Sequence, residues 1–241
     1  MQRVILLTSF IFFITGARAQ TPAKLEIVPL TGDFYIYTTY NTYQENRTPA
    51  HGMYVVTTDG VVMFDTPWDT TQFQPLLDSI QTRHHKNVIM CFATHWHSDK
   101  TAGLEYYRQH GIKTYTTALT DELSKKNDMK RAEFLMTRDT TFRVGQYTFE
   151  TYYPGPGHTT DNIVIWFEKE KILYGGCLIK GASDKTLGYL GDANTAAYST
   201  TLQNVQQKCQ NPQHIIVAHS DWTNLNSLKH SIKLAKRLKK K

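Results

Sequence analysis

A short apolar stretch that runs straight into a set of metal-ligand side chains narrows the fold of this chain more than any other feature. Asn87 to Phe92 reads as a buried strand, and Ala93-Thr94 carries it into His95-Trp96-His97-Ser98-Asp99. Histidines at i and i+2 on an extended segment project to the same side. Asp99 lies two residues further, at the turn into a helix. Imidazole and carboxylate are donors that suit zinc, and strand-end loops are where a rigid scaffold presents functional groups. A chance cluster of polar residues in a loop is the competing reading, and the H-x-H-x-D spacing favours metal over it.

Three more strand ends add to the set. Gly155-Pro156-Gly157-His158-Thr159 is a tight loop presenting one histidine before a strand. Gly175-Gly176-Cys177 ends another strand on two flexible residues, which let the backbone come close to a bound group. Val217-Ala218-His219-Ser220 ends a third with a histidine. A lone histidine is more often structural than functional, but these residues all sit where one sheet edge could gather them.

The surrounding pattern is that of one domain. Strand-like segments run over 33–40, 53–57 and 61–65, rich in Tyr, Val and Phe and broken by turn residues such as Asp59-Gly60. A helix is expected over 71–82, with Phe73, Leu76, Leu77 and Ile80 on one face and Pro75 near its start, where proline is tolerated. A second is expected from Thr101 to His110, capped by Gly111. A more polar helical region covers 119–138. Strands follow at 147–152, 162–167 and 171–174, then a helix at 195–208, a strand at 214–217 and a terminal helix. In that last helix Leu225, Leu228, Ile232, Ala235 and Leu238 recur at helical spacing, giving a core face. Two groups of strands, each followed by helices, imply an α/β sandwich of two sheets with helices outside. GVVMFDT early and KILYGG late faintly echo one another, as a duplicated half would.

These motifs resemble the metallo-β-lactamase superfamily, and within it subclass B1. The resemblance runs from FDTPWD through HWHSDKTAG, PGPGHTTDN and GGCLIK to LGDAN and VAHS, nearly the whole chain after residue 19. It implies a four-layer αβ/βα sandwich of two mixed β-sheets and two zinc ions per chain. His95, His97 and His158 are implied to hold the first ion, and Asp99, Cys177 and His219 the second. Each site then has three protein ligands and an open position, as catalytic zinc requires. Many other superfamily hydrolases carry a second histidine directly after the motif aspartate. Here Lys100 stands there, and Cys177 takes over as the soft ligand, which points away from thioester, lactone and phosphodiester hydrolases. The implied activity is metal-dependent hydrolysis of the lactam ring of penicillins, cephalosporins and carbapenems, conferring antibiotic resistance.

Further roles follow from the same resemblance. Lys180 is implied to bind the substrate carboxylate, and Asp65 to orient a ligand from behind. Tyr189 stands in Leu187-Gly188-Tyr189-Leu190-Gly191 where the family often has asparagine, so side-chain polarisation of the carbonyl is altered. Asn41 to Pro49 corresponds to the family's mobile flap; it is unusually polar, with Tyr43 its best apolar contact to substrate. These departures predict a shifted substrate preference. The other histidines, His51, His84, His85, His110, His214 and His230, read as structural or surface residues.

Composition and the first residues bear on location. Arg3, an apolar run from Val4 to Ile14, and Ala17-Arg18-Ala19 form a secretory signal peptide. The run is too short for a membrane anchor, which needs about 20 apolar residues, and no cysteine follows for lipid attachment. Cleavage is expected after Ala19, giving a periplasmic, monomeric domain over 20–241. Export favours paired cysteines, yet three are present. An odd count leaves at least one thiol without a partner, and a zinc-held Cys177 accounts for it. The net charge of +6 is concentrated in the RLKKK tail and the leader. A basic helix end complements the helix dipole, and without interleaved aromatics nucleic-acid binding is not expected.

Overall fold

The computed structural model describes residues 24–238. The expected signal peptide and its cleavage point after Ala19 lie outside the described residues.

Among the described residues, twelve strands form two mixed sheets. In the first, β1 (Leu25–Thr31), β2 (Phe34–Tyr43), β3 (Asn46–Val56) and β4 (Val61–Phe64) pair antiparallel in sequence order. β5 (Val88–Phe92), β6 (Lys113–Thr117) and β7 (Phe134–Met136) then extend the sheet in parallel. The second sheet runs β12 (His214–Val217), β11 (Ile172–Gly176), β10 (Val164–Phe167), β9 (Tyr147–Tyr152), β8 (Thr140–Val144), with only β11 and β12 parallel.

Strand periodicity explains the layering. On β4, Val62 and Phe64 face the second sheet, while Val61 and Met63 face helices. On β10, Ile165 and Phe167 point inward, while Val164 and Trp166 point outward. Both strands are buried along their whole length because each face has a layer to meet. The outer face of the first sheet is covered by α1 (Phe73–His84) and α3 (Leu104–Gln109), and that of the second by α5 (Tyr198–Lys208) and α6 (Ser227–Leu238). The result is the four-layer sandwich expected from the sequence.

Several boundaries differ. The helix expected over 101–110 is two pieces, α2 (Ser98–Thr101) and α3, so Asp99 stands in a helical first turn. The break falls at Ala102-Gly103, where Gly103 packs tightly against Thr66, Phe73 and Tyr107. The polar helix expected over 119–138 is only α4 (Ala118–Lys126). Thr117 caps its start by accepting from the Thr120 amide, and Asp128, at φ 56°, turns the chain away beyond its end. Phe134-Leu135-Met136 then joins the sheet edge as β7. Leu225 is 49% exposed, not core, because α6 begins two residues after it. β1, β6 and β8 were not expected: no residue of β1 is fully buried, and the side chains of β6 and β8 are mostly Thr, Arg and Lys.

The expected flap is an ordinary hairpin. β2 and β3 pair without interruption to Tyr43 opposite Asn46, and Gln44 and Glu45, both at positive φ, make the two-residue turn. Arg47 lies over the Tyr40 ring, 3.2 Å from its centroid. The cysteines are all free thiols. Cys91 packs in the layer between the first sheet and its helices, and Cys209 in the corresponding layer on the far side of the sandwich, which is why they do not pair.

Candidate metal centre

The six expected donors meet on one rim of the sandwich, each delivered by the end of an element. His95 and His97 follow β5, Asp99 opens α2, His158 sits in the loop after β9, Cys177 follows β11 and His219 follows β12. Parallel strands send their carboxyl ends to one side, so β5 and the β11–β12 pair can converge there.

Donor atoms of His95, His97 and Asp99 lie within 4.8 Å of one another, as do those of His95, His158 and Cys177, and of Asp99, Cys177 and His219. His95 Nε2 is 3.2 Å from His97 Nδ1, and the His158 ring centroid is 5.0 and 5.1 Å from those of His95 and His97. Opposite them, Cys177 Sγ lies 3.3 Å from both Asp99 Oδ2 and His219 Nε2. His95, Asp99, His158 and Cys177 are buried, whereas the side chains of His97 and His219 are 17% and 29% exposed, so the cluster opens to solvent on that side.

Electrostatics suit a cation. Burial, then the neighbouring His97, holds His95 well below the ordinary histidine range; burial, then Lys180, does the same to His158. Both therefore present neutral nitrogens, the form that binds metal. Burial opposes charge on Asp99, but Lys100 and His219 outweigh it and keep the carboxyl ionised well below its usual range. Burial also opposes charge on His219, yet Cys177 and Asp99 push it up to about 10. One ring nitrogen of His158, Nδ1, is buried with no hydrogen-bond partner. Three imidazoles beside a carboxylate, thiol and imidazole, open on one side, fit zinc in catalytic rather than structural coordination.

Behind these donors lies a buried frame. His97 Nε2 donates to Asp192 Oδ2 at 2.9 Å, which leaves Nδ1 facing the cluster. His219 Nδ1 donates to the Pro49 carbonyl at 2.7 Å, so the flap hairpin itself orients that ring. Asp161 accepts from the Trp96 amide between the first two histidines. Asp65, at φ 65°, accepts from the Thr94 amide at 2.8 Å, the Thr94 hydroxyl at 3.1 Å and the Tyr174 hydroxyl at 2.6 Å. It therefore fixes the residue that launches His95 and touches no donor directly, which refines its expected role. Lys100 is fully buried, with Nζ 3.1 Å from Asp99 and 3.5 Å from Asp65. It ties the frame to the cluster.

The substrate-side expectations are placed as follows. Lys180 is half-buried at the rim, and burial lowers its pKa against the pull of Cys177 and Asp99. Its Nζ lies beside Gly188, on the loop that carries Tyr189. Tyr189 is half-exposed, its ring 6.1 Å from that of His97. Tyr43 is exposed near the hairpin tip, 6.2 Å from the Trp68 ring, which lies 5.7 Å from His219. Trp68 was missed in the sequence, although it stands within FDTPWD; Asp192 and Asp161 likewise stood unassigned in LGDAN and TTDN. Asp192→Ala frees the His97 ring to rotate, and zinc affinity should fall about 10–100-fold, measured by competition with a chromophoric chelator.

A four-layer sandwich whose rim holds this donor set is a metal-dependent α/β hydrolase scaffold. The family model of the metallo-β-lactamase superfamily matches residues 47–219. The chain is 40% identical over 223 residues to a metallo-β-lactamase type 2 of Elizabethkingia meningoseptica, spanning 92% of this chain and 90% of that one. It is 30% identical to a metallo-β-lactamase type 2 of Bacillus cereus, over 95% of this chain and 94% of that one. A solved metallo-β-lactamase from Pontibacter korlensis superposes with a TM-score of 0.85 at 34% identity, covering 88% of this chain and 99% of that one. The chain belongs to the metallo-β-lactamase superfamily, and the resemblance to subclass B1 holds.

Proposed function

We infer that this chain is an exported zinc hydrolase that opens the lactam ring of penicillins, cephalosporins and carbapenems, and so confers resistance to them. The observation that carries this reading is the Cys177 thiol set between Asp99 and His219, with the Lys100 ammonium bridging Asp99 at 3.1 Å to the buried Asp65 at 3.5 Å. His95, His97 and His158 would hold one zinc ion, and Asp99, Cys177 and His219 a second. When bound, zinc supplies Lewis acidity and lowers the pKa of water to about 7.

The residues around it account for the rest. Lys180 pairs with the substrate carboxylate and places the lactam carbonyl over the histidines. Trp68 and Tyr43 cover the apolar side, and Tyr189 stands beside His97 at the edge of the carbonyl. Asp99, kept ionised by Lys100, accepts a hydrogen bond from the attacking water and orients it. The carbonyl carbon gains the hydroxyl of the water, the C–N bond breaks, and the water's other proton goes to the ring nitrogen as it leaves. Such positioning contributes much of what a hydrolase needs. Cleavage after Ala19 would deliver the enzyme to the periplasm as a monomer, without a stable membrane anchor.

The test is hydrolysis of one penicillin, one cephalosporin and one carbapenem by zinc-loaded protein, with a metal count and with a lactone and a thioester alongside. Lactam turnover at two zinc ions per chain is expected; intact lactams with a cleaved lactone or thioester overturn the substrate assignment. Cys177→Ser should keep the fold and lower zinc content toward one ion per chain, because a hydroxyl is a far poorer zinc ligand than a thiolate. Two zinc ions and full turnover in that variant would contradict the second site.

A further inference from the structure

From Thr195 to Lys241 the chain carries eight Lys or Arg side chains and a single acid, Asp221. That imbalance is concentrated on one face. Along α6, Lys229, Lys233, Lys236 and Arg237 are exposed, while Leu228, Ile232, Leu234 and Ala235 between them are buried against the second sheet and α5. The spacing i, i+4, i+7, i+8 puts the cations in one stripe. Among the described residues, none of these four makes an ion pair. By contrast, Lys208 at the end of α5 is held by Glu150 at 2.8 Å, so its charge is already answered. The exposed side chains of α5 offer Gln206 and Gln207 and no acid. A shallow groove of about 560 Å³ separates the helices, rimmed by Gln206, Lys229, Lys233, Lys236 and Arg237. Ile232 lies at its floor. Leu225 is exposed just before the helix, and the half-buried Trp222 precedes it. The sequence continues past the described helix with Lys239, Lys240 and Lys241.

We propose that this face of α6 docks the enzyme peripherally on an anionic phospholipid bilayer. Cations in one stripe meet lipid phosphates, and Leu225, exposed two residues before the helix, offers an apolar side chain to the headgroup boundary. Rigid helix packing keeps the stripe flat. An exposed apolar residue just before the helix suits a bilayer better than a nucleic acid, whose backbone offers it no apolar partner and whose binding uses aromatic stacking that the four cations of this face do not interleave with. The association is electrostatic and reversible. Among the described residues no helix is long and apolar enough to cross a membrane. The site lies on the helical layer of the second sheet, so docking and hydrolysis are separable.

Zinc-loaded full-length mature protein is sedimented with vesicles of pure phosphatidylcholine, and with vesicles of equal parts phosphatidylcholine and phosphatidylglycerol. Binding is expected only to the anionic vesicles, with release at high salt as the charges are screened. Lys229→Gln/Lys233→Gln/Lys236→Gln should weaken that binding about 150-fold and leave lactam hydrolysis intact, which also shows that it folds. A matched control, Lys125→Gln/Lys126→Gln on the exposed last turn of α4, should change binding far less. Equal binding to neutral vesicles, an equal loss in the control, or tighter binding to duplex DNA of the same charge density would each overturn the proposal.

Discussion

Chelation of the purified enzyme should cut carbapenem hydrolysis by about a thousandfold or more, and added zinc should restore it. The Lewis acid alone supplies several kcal/mol of transition-state stabilisation, and no other group on the rim can replace it. His95 and His158 are held neutral, and Lys180 is a cation that can bind a carboxylate but cannot ionise water. The same removal should lower the melting temperature by roughly 10 °C, because a ligand bound far above its dissociation constant stabilises only the folded state. Calorimetry with and without zinc measures the second effect, and initial rates measure the first. Chelated protein that still turned over a carbapenem at its original rate would exclude a metal-dependent mechanism.

The largest purely structural effect is expected from Lys100→Met. Among the described residues its ammonium is the one that ion-pairs with two buried carboxylates, at 3.1 Å from Asp99 and 3.5 Å from Asp65, and none of its surface reaches solvent. Methionine fills similar space but removes the ammonium from both acids, leaving Asp65 with hydrogen bonds from Thr94 and Tyr174 alone and Asp99 with His219 and Cys177. Breaking a buried ion pair from one side costs about 3–5 kcal/mol, which in a domain of this size lowers the melting temperature by roughly 10–15 °C. The pH dependence gives the sign. Burial already raises the Asp65 pKa, with Lys100 opposing that rise. Without Lys100 the folded value climbs further above the unfolded one, so the penalty is full at neutral pH and relieved as pH falls through the raised folded value. A melting temperature unchanged at neutral pH would show that Lys100 does not hold the frame together.

Some of the mechanism was legible because its chemistry is local. The H-x-H-x-D run carries three donors within five residues, and a strand followed by a helix start presents them together without help from distant packing. His158, Cys177 and His219 were recognisable because each follows a strand at a break in the apolar pattern. What stands behind them was not legible. The Asp192 carboxylate reaches His97 across 95 residues of chain, and Pro49 reaches His219 across 170. Such partners have no sequence signal, since a hydrogen bond to a carbonyl requires no particular side chain.

Lys100 shows the division most clearly. In the sequence it is only the residue that replaces a histidine; in the fold it is a buried cation between two acids. The strands that lead into the donors, the chemistry of those donors and the soft ligand at residue 177 were determined by the sequence alone, because residue type and local periodicity express them directly. The shared rim, the orientation of each imidazole and the charge balance beneath them were decided only by tertiary structure. They depend on distances between segments far apart in the chain, and those distances exist only once both sheets have closed over their common core.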